Sequence, residues 1–532
     1  PITLALTPTP VEYQHYAQNN HRRRRQGATM TNFRVRSDHE ARARVALETL
    51  DSRPGVYKES VSEHGGASFW LERSDAGKHL MVLAADESQL DAFSGEAQAG
   101  SDGYVLKRCD TSHDNAAALR RVLVWLEPQP LGLQTSAGCG DRLGLATPGH
   151  AAAFREVGGE IYPIFAQQSI REMTRTKRSP EDVMADATWG AFEAGWRGPL
   201  GADADHLKTP EDIDRCANAG FTFFTIDPGE QVDDEAHSAA PRAVEEKVAA
   251  LPWPGLETSR QEFVARYGGK VIDLGTRRLT LEQGPLLRAA AKYGRAIAHV
   301  VTMYRHLVAT GKAFELEVSV DETQTPTSHA EHAVVALELK RLGVQFISLA
   351  PRYVGRFEKG IDYLGDHEAL REDLAGHAAI AQTLGPYKLS LHSGSDKFSV
   401  YPVITELTAG MVHLKTAGTS YLEALRVIAR FEPELFREIG TLAKANFEQD
   451  RASYNISAQL RNVPDFATVS ETELANLLEH NDTRQVLHVT FGSALDRFKA
   501  ELLTALTAHE KAHYEALASH FVKHLAPFSG KA

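Results

Sequence analysis

The sequence predicts an α/β fold, a (β/α)8 TIM-like barrel carrying three additions: an N-terminal α/β extension, an insertion between strands 4 and 5, and a helical C-terminal tail. Three observations point there. Strand-like runs recur eight times with helical runs between them, the pattern of parallel strands joined by crossover helices. One of these runs, 314–323, alternates with period two, placing Phe314, Leu316, Val318 and Val320 on one face and Glu315, Glu317, Ser319 and Asp321 on the other. A strand with an apolar back and an acidic front needs a metal, basic side chains or water to balance that front. Finally, ionisable residues gather at the carboxyl ends of the runs, where such a barrel places its chemistry.

The eight runs are 131–137, 160–168, 199–205, 221–227, 314–321, 344–352, 387–393 and 411–416. Helices are expected over 180–194, 209–219 and 329–342, with Gly220 and Gly343 as their stops. The spacing divides the chain into a tail over 1–29, a small α/β region over 30–130, the catalytic barrel over 131–420 with an insertion at 228–313, and a helical region over 421–532. In the α/β region, short strands are expected at 68–72, 78–83 and 103–107, followed by an amphipathic helix at 116–127. The insertion should end in a long helix over 285–310. The C-terminal region should form helices near 422–430, 434–450 and 494–525, which would cap the barrel or form a homo-oligomer contact.

The chain has 532 residues, 42% hydrophobic and 24% charged, with a formal charge of -12. This is globular composition, and the acidic balance argues against a nucleic-acid partner. Three cysteines, Cys109, Cys139 and Cys216, have no CxxC spacing, so reduced thiols and a cytoplasmic location are expected. No apolar run approaches the roughly 18 residues of a membrane helix, so no membrane partner is expected. Arg22 to Arg25 form a basic run with no apolar stretch after it, and Met30 opens a Met-Thr-Asn sequence. Residues 1–29 therefore read as a disordered or upstream-translated tail, the alternative being a nucleic-acid arm. There is no GxGxxG or Walker pattern, so no nicotinamide is expected.

Strand ends supply the candidate site. The first offers Ser136, Asp141 and Arg142, and the second Gln167 and Gln168. The third and fourth offer His206 and Asp227, and the fifth Glu317, Asp321 and Glu322. The sixth carries Arg352, the seventh His392, Ser393 and Lys397, and the eighth His413 and Lys415. Each has a bland reading: an aspartate as helix cap, a histidine as a bonded core group, an arginine as a surface ion pair. Their coincidence at one end of the barrel, together with strand parity, favours a site. Histidine plus carboxylate suits a divalent cation such as zinc, manganese or nickel. The fifth strand's acids, Glu317 first, and His392 are the leading ligands with either His206 or His413, and both histidines enter the expected sphere. Asp227 or Asp321 is the expected general base. The surplus cations Arg142, Arg352, Lys397 and Lys415 suggest an anionic substrate, the hydroxyls and amides of Ser136, Ser393, Gln167 and Gln168 suit a polyol, and Asp141 is a further expected substrate contact.

The runs Gly138-Cys-Gly-Asp-Arg-Leu-Gly144, Gly201-Ala-Asp-Ala-Asp-His206, Val320-Asp-Glu-Thr323, Leu391-His-Ser-Gly-Ser-Asp-Lys397 and His413-Leu-Lys-Thr-Ala-Gly418 resemble the tagaturonate/fructuronate epimerase family over roughly 50–525. The resemblance implies a metal-dependent barrel isomerase that interconverts D-tagaturonate and D-fructuronate, or inverts C4 of the ketohexoses fructose and tagatose. The carbon inverted lies β to the ketone, so enolisation toward that carbonyl cannot acidify its C–H. Retro-aldol cleavage, rotation of the aldehyde and re-addition can invert it, with a metal stabilising the enediolate. The rivals are a class II aldolase acting on a ketose phosphate and a non-catalytic barrel subunit.

Overall fold

The computed structural model describes residues 54–100, 103–275 and 277–530. The expected tail over 1–29 lies outside the described residues. The chain first forms a five-stranded antiparallel sheet, β1 (Val56–His64), β2 (Ala67–Ser74), β3 (Gly77–Ala84), β4 (Gly95–Ala99) and β5 (Val105–Asp110), in the order β1-β2-β3-β5-β4. The sequence anticipates β2, β3 and β5. It misses β1 and β4, which are edge strands with little burial and so little alternation to read. The helix expected over 116–127 runs instead from His113 to Val122, because Ser112 caps it by accepting from the Asn115 amide.

The barrel closes from eight parallel strands. They are β6 (Thr135–Cys139), β7 (Ile161–Ser169), β8 (Gly201–Leu207), β9 (Phe223–Ile226), β12 (Glu315–Val320), β13 (Ser348–Pro351), β14 (Lys388–Leu391) and β15 (Val412–Thr416). All eight expected runs become its strands, with ends shifted by up to four residues. Leu316, Val318, Leu389, Leu391 and Leu414 pack outward in the main core, under the helices. Their odd-numbered or even-numbered neighbours therefore point to the axis. Helices Pro180–Glu193, Pro210–Ala219 and His329–Arg341 each begin at a capping box set by Ser179, Thr209 and Ser328. Gly220 (φ 98°) and Gly343 (φ 76°) follow the second and third of these in the left-handed region that favours glycine.

Between β9 and β12 lie helices Pro241–Ala249 and Arg260–Tyr267, a hairpin of β10 (Lys270–Asp273) and β11 (Arg278–Leu281), and the long helix Gln283–Ala309. After the barrel come helices Thr419–Phe431, Pro433–Asp450, Asn481–Val489, Phe491–Ala508 and Glu510–Leu525, which largely build a second apolar core. The single helix expected over 494–525 is two, broken at His509. Asp396, beyond β14, ties this region to the barrel by bonding Arg484 at 3.0 Å and His520 at 2.7 Å. The three cysteines are buried free thiols. Among the described residues no helix is long and apolar enough to cross a membrane.

Candidate active site

The barrel interior is polar in layers. Near the amino ends, Glu315 accepts from the Gly132 amide. One level up, Ser136 meets His413 Nδ1 at 2.9 Å and accepts from Lys388 Nζ at 3.1 Å. Above it, Lys415 Nζ lies 2.6 Å from Asp205 Oδ1, 2.9 Å from Glu317 Oε1 and 3.0 Å from Asp203 Oδ2, and it donates to Thr225 Oγ1 at 2.5 Å. Three buried carboxylates thus share one buried ammonium. Burial opposes their charge, but Lys415 and the nearby histidines hold Glu317 well below the ordinary carboxylate range. Lys415 itself is raised despite burial, because Asp203, Asp205 and Glu317 surround it.

Two imidazoles stand on this carboxylate floor. His392, just past β14, makes a 2.6 Å bond from Nε2 to Glu317 Oε1. Its other nitrogen, Nδ1, lies 3.0 Å from Asp321 Oδ1 but off the line a hydrogen bond needs, and it has no hydrogen-bond partner among the described residues. His206 bonds Asp205 Oδ1 through Nδ1 at 2.7 Å, leaving Nε2 facing Glu322 at 3.6 Å. Asp205 and His206 are adjacent, yet both serve the site. The pairing of β8 with β9 slips after Ala204, and His206 sits in the left-handed region at φ 55°. Ser393 does the same at φ 49°. Non-glycine residues in that region carry strain of about 1–3 kcal/mol and concentrate at functional sites.

His206, Asp321 and His392 bring one ligand atom each within 4.8 Å of one another, and so do His206, Asp227 and Glu322. Burial works against both imidazolium forms, but Asp205 and Glu322 outweigh it at His206, pushed up to about 9. At His392, Asp321 and Glu317 do so, to about 10. A cation entering here must displace protons that carboxylates already favour. Two imidazoles and a carboxylate, with a buried nitrogen lacking a partner, fit a divalent cation. Burial raises the Asp227 carboxyl, whose Oδ2 has no hydrogen-bond partner among the described residues.

Above these groups opens a cleft of about 740 Å³ lined by His206, Asp321, Glu322, His392 and Ser393 together with Arg171, Arg352, Arg356, Lys359, Tyr454 and Asn455. Of the expected anion-binding cations, only Arg352 lines it. Lys415 is held in the floor. Lys397 is buried and donates to the carbonyls of Glu358, Ile361 and Ser395, which places it in the fabric of the loops. Arg142 pairs with buried Glu172 at 2.7 Å and stacks on Phe491. Asp141 accepts from the amides of Leu143, Gly144 and Ala146. Gln168 accepts from Arg178, and Gln167 donates to Asp205 Oδ2 at 3.1 Å. Ser136 and His413 lie below the cleft.

Arg171, Arg356, Lys359, Tyr454, Asp203 and Thr225 were not anticipated. Asp203 shares the parity of Asp205, so alternation could have found it. Arg171 lies two residues beyond β7, and Arg356 and Lys359 lie deep in the long loop after β13. Tyr454 comes from the helical C-terminal region, and no strand-end argument reaches it.

A family model described as tagaturonate epimerase matches residues 57–528. This chain belongs to the tagaturonate epimerase family. It is accordingly an isomerase of the epimerase type. The tagaturonate/fructuronate epimerase of Thermotoga maritima is 43% identical over 478 residues, covering 89% of this chain and 97% of that one. The glycerol-bound crystal structure of fructuronate-tagaturonate epimerase from Cohnella laeviribosi is 38% identical with a TM-score of 0.84, covering 92% of this chain and 99% of that one. The native crystal structure from the same organism is 37% identical with the same TM-score and coverage.

Proposed function

We propose that this epimerase interconverts D-tagaturonate and D-fructuronate on a divalent cation held by His206, Asp321 and His392, by retro-aldol cleavage and re-addition. The observation that carries the metal is the pair of carboxylate-backed imidazoles. Asp205 takes the Nδ1 side of His206 and Glu317 the Nε2 side of His392, which leaves His206 Nε2 facing Glu322 and His392 Nδ1 beside the Asp321 carboxylate. Metal-ligating histidines are commonly oriented by an acceptor on the far nitrogen. Lys415 bonds both backing carboxylates and fixes them. Glu317 and His413, expected as ligands, take supporting positions in this reading, Glu317 orienting His392 from below.

When bound, the cation supplies Lewis-acid stabilisation of the oxygen charge that develops on the ketone fragment. Asp227 removes the proton from the β-hydroxyl; its buried Oδ2, with no hydrogen bond among the described residues and Lys208 Nζ 3.8 Å away, and its raised pKa suit a group that takes and returns a proton. The bond between the carbons α and β to the ketone breaks, its electron pair stays with the ketone fragment, and the β-carbon becomes an aldehyde. The substrate carboxylate travels with that aldehyde. Arg352, Arg356, Arg171 and Lys359 line the cleft and hold it there while the aldehyde turns its other face. The pair re-adds, and Asp227 returns the proton to the inverted alkoxide.

The test is to strip the protein with a chelator, restore zinc, manganese or nickel separately, and identify the products from D-tagaturonate. Fructuronate formed only after metal is restored, without accumulating fragments, supports the reading. Full activity after stripping contradicts the metal, and accumulation of ketone and aldehyde fragments identifies an aldolase.

A further inference from the structure

We propose a second divalent-cation site on the outside of the barrel, formed by His329, Asp373 and His377, that braces the loop carrying two of the cleft's arginines, Arg352 and Arg356. His329 opens the helix after β12, and Asp373 and His377 lie one turn apart on the helix His367–Leu384 that follows β13. Each offers a ligand atom, and all three atoms lie within 4.8 Å of one another. Asp373 Oδ1 is 3.5 Å from His377 Nε2 and 3.7 Å from His329 Nε2. Tetrahedral zinc bonded at about 2.0–2.1 Å sets its ligand atoms about 3.3 Å apart. Closing the cluster on such an ion therefore takes shifts of a few tenths of an ångström along these two edges.

Three further features point to a ligand. First, His377 is fully buried, and its Nε2, aimed at Asp373, has no hydrogen-bond partner among the described residues. A buried polar atom left so costs about 1–3 kcal/mol.

Second, the far side of the same ring is backed. His377 Nδ1 lies 2.8 Å from His332 Nδ1, and His332 Nε2 lies 2.8 Å from the Tyr387 hydroxyl. If His377 donates through Nδ1, His332 accepts and donates onward to Tyr387. His377 Nε2 is then left as a lone pair facing the cluster, the tautomer a metal requires.

Third, Gly376 clears the space. A Cβ there would overlap the His329 ring, so only glycine lets that ring lie against the neighbouring helix. His329 Nε2 meets the Asp373 carbonyl at 3.1 Å, so loading exchanges that hydrogen bond for a metal bond, with the ring proton carried on Nδ1 instead.

The site reaches the cleft through Asp373. Its Oδ2 accepts from the Val354 amide at 3.0 Å, in the loop between Arg352 and Arg356, while its Oδ1 is the ligand oxygen. A cation on Oδ1 fixes the carboxylate that holds this loop. Two imidazoles and one carboxylate, with His329 partly exposed, leave a position for water and suit zinc or another borderline cation.

The experiment is zinc titration of the chelator-stripped full-length protein, with total metal read by mass spectrometry, in the wild type and in His392→Ala, His329→Gln and His377→Gln. Crystals of the wild type soaked in zinc and measured at the zinc absorption edge give the second readout. The expected result is two zinc ions per chain in the wild type and one in each variant, with an anomalous peak among His329, Asp373 and His377. His329→Gln serves if the buried His377→Gln fails to fold. Two ions retained in His329→Gln, or no anomalous peak between the two helices, would overturn the proposal. Loss of only the barrel ion in His392→Ala separates this site from the one proposed for catalysis.

Discussion

Glu317 Oε1 lies 2.6 Å from His392 Nε2, so in the proposed site the acid predicted as a ligand backs one of the histidines that face the cleft. The same oxygen pairs with Lys415 Nζ at 2.9 Å, and that ammonium also donates to Asp205 behind His206. One buried lysine thereby connects the supports of both imidazoles, and the consequences are measurable.

Lys415→Met should be strongly destabilising. It leaves Asp203, Asp205 and Glu317 buried without their cation, and breaking a buried ion pair on one side costs about 3–5 kcal/mol. Thermal unfolding should show a large fall in midpoint. An unchanged midpoint would mean that the three carboxylates do not depend on this ammonium.

Asp205→Asn keeps the shape but weakens the acceptor behind His206. Loss of such an outer partner lowers metal affinity or activity about 10–100-fold. Competition with a chromogenic chelator reads this directly, with the wild-type affinity as reference.

Arg352→Ala should act on substrate rather than on metal. Removing a charge-assisted bond of about 1.5–3 kcal/mol raises KM for tagaturonate about tenfold to a hundredfold. Metal content should stay at the wild-type level. A ketohexose lacking the carboxylate should feel the change much less, which locates the effect at the charged end of the substrate.

Acid stability should depend on Asp396. Burial raises its carboxyl, but Arg484, His520 and His524 outweigh that and hold it well below its ordinary value. A group whose folded value is depressed contributes stability above its unfolded value, near 3.8, and loses it as pH falls from there through the folded value. Denaturant unfolding of the wild type should weaken steeply below about pH 4. Asp396→Asn should be less stable at neutral pH and show a flatter decline in acid.

The barrel was legible because its signals are local. Alternation in 314–321, glycine after helices and the recurrence of short apolar runs each act within a few residues, and together they locate all eight strands. The site was legible by parity as far as Glu317, Asp321 and His392, which lie in or just past regular strands. His206 has the wrong parity and reaches the cleft only because β8 slips after Ala204 and the backbone turns left-handed there. No alternation rule contains that step. Lys397 and Arg142 misled for the opposite reason: their charge is visible in sequence, while the backbone carbonyls around Lys397 and the Glu172 carboxylate beside Arg142 are brought by the fold. Arg356, Lys359 and Tyr454 belong to a long loop and to the C-terminal helices, whose approach to the cleft depends on packing between distant parts of the chain.

The most direct test of the retro-aldol account is to run the metal-loaded enzyme on D-tagaturonate in D2O and examine the fructuronate formed by NMR. The carbon that is inverted becomes an aldehyde without losing its hydrogen, so the account predicts that this position keeps its original hydrogen. Deuterium at that carbon would mean that its C–H bond is broken during inversion, and would contradict the account.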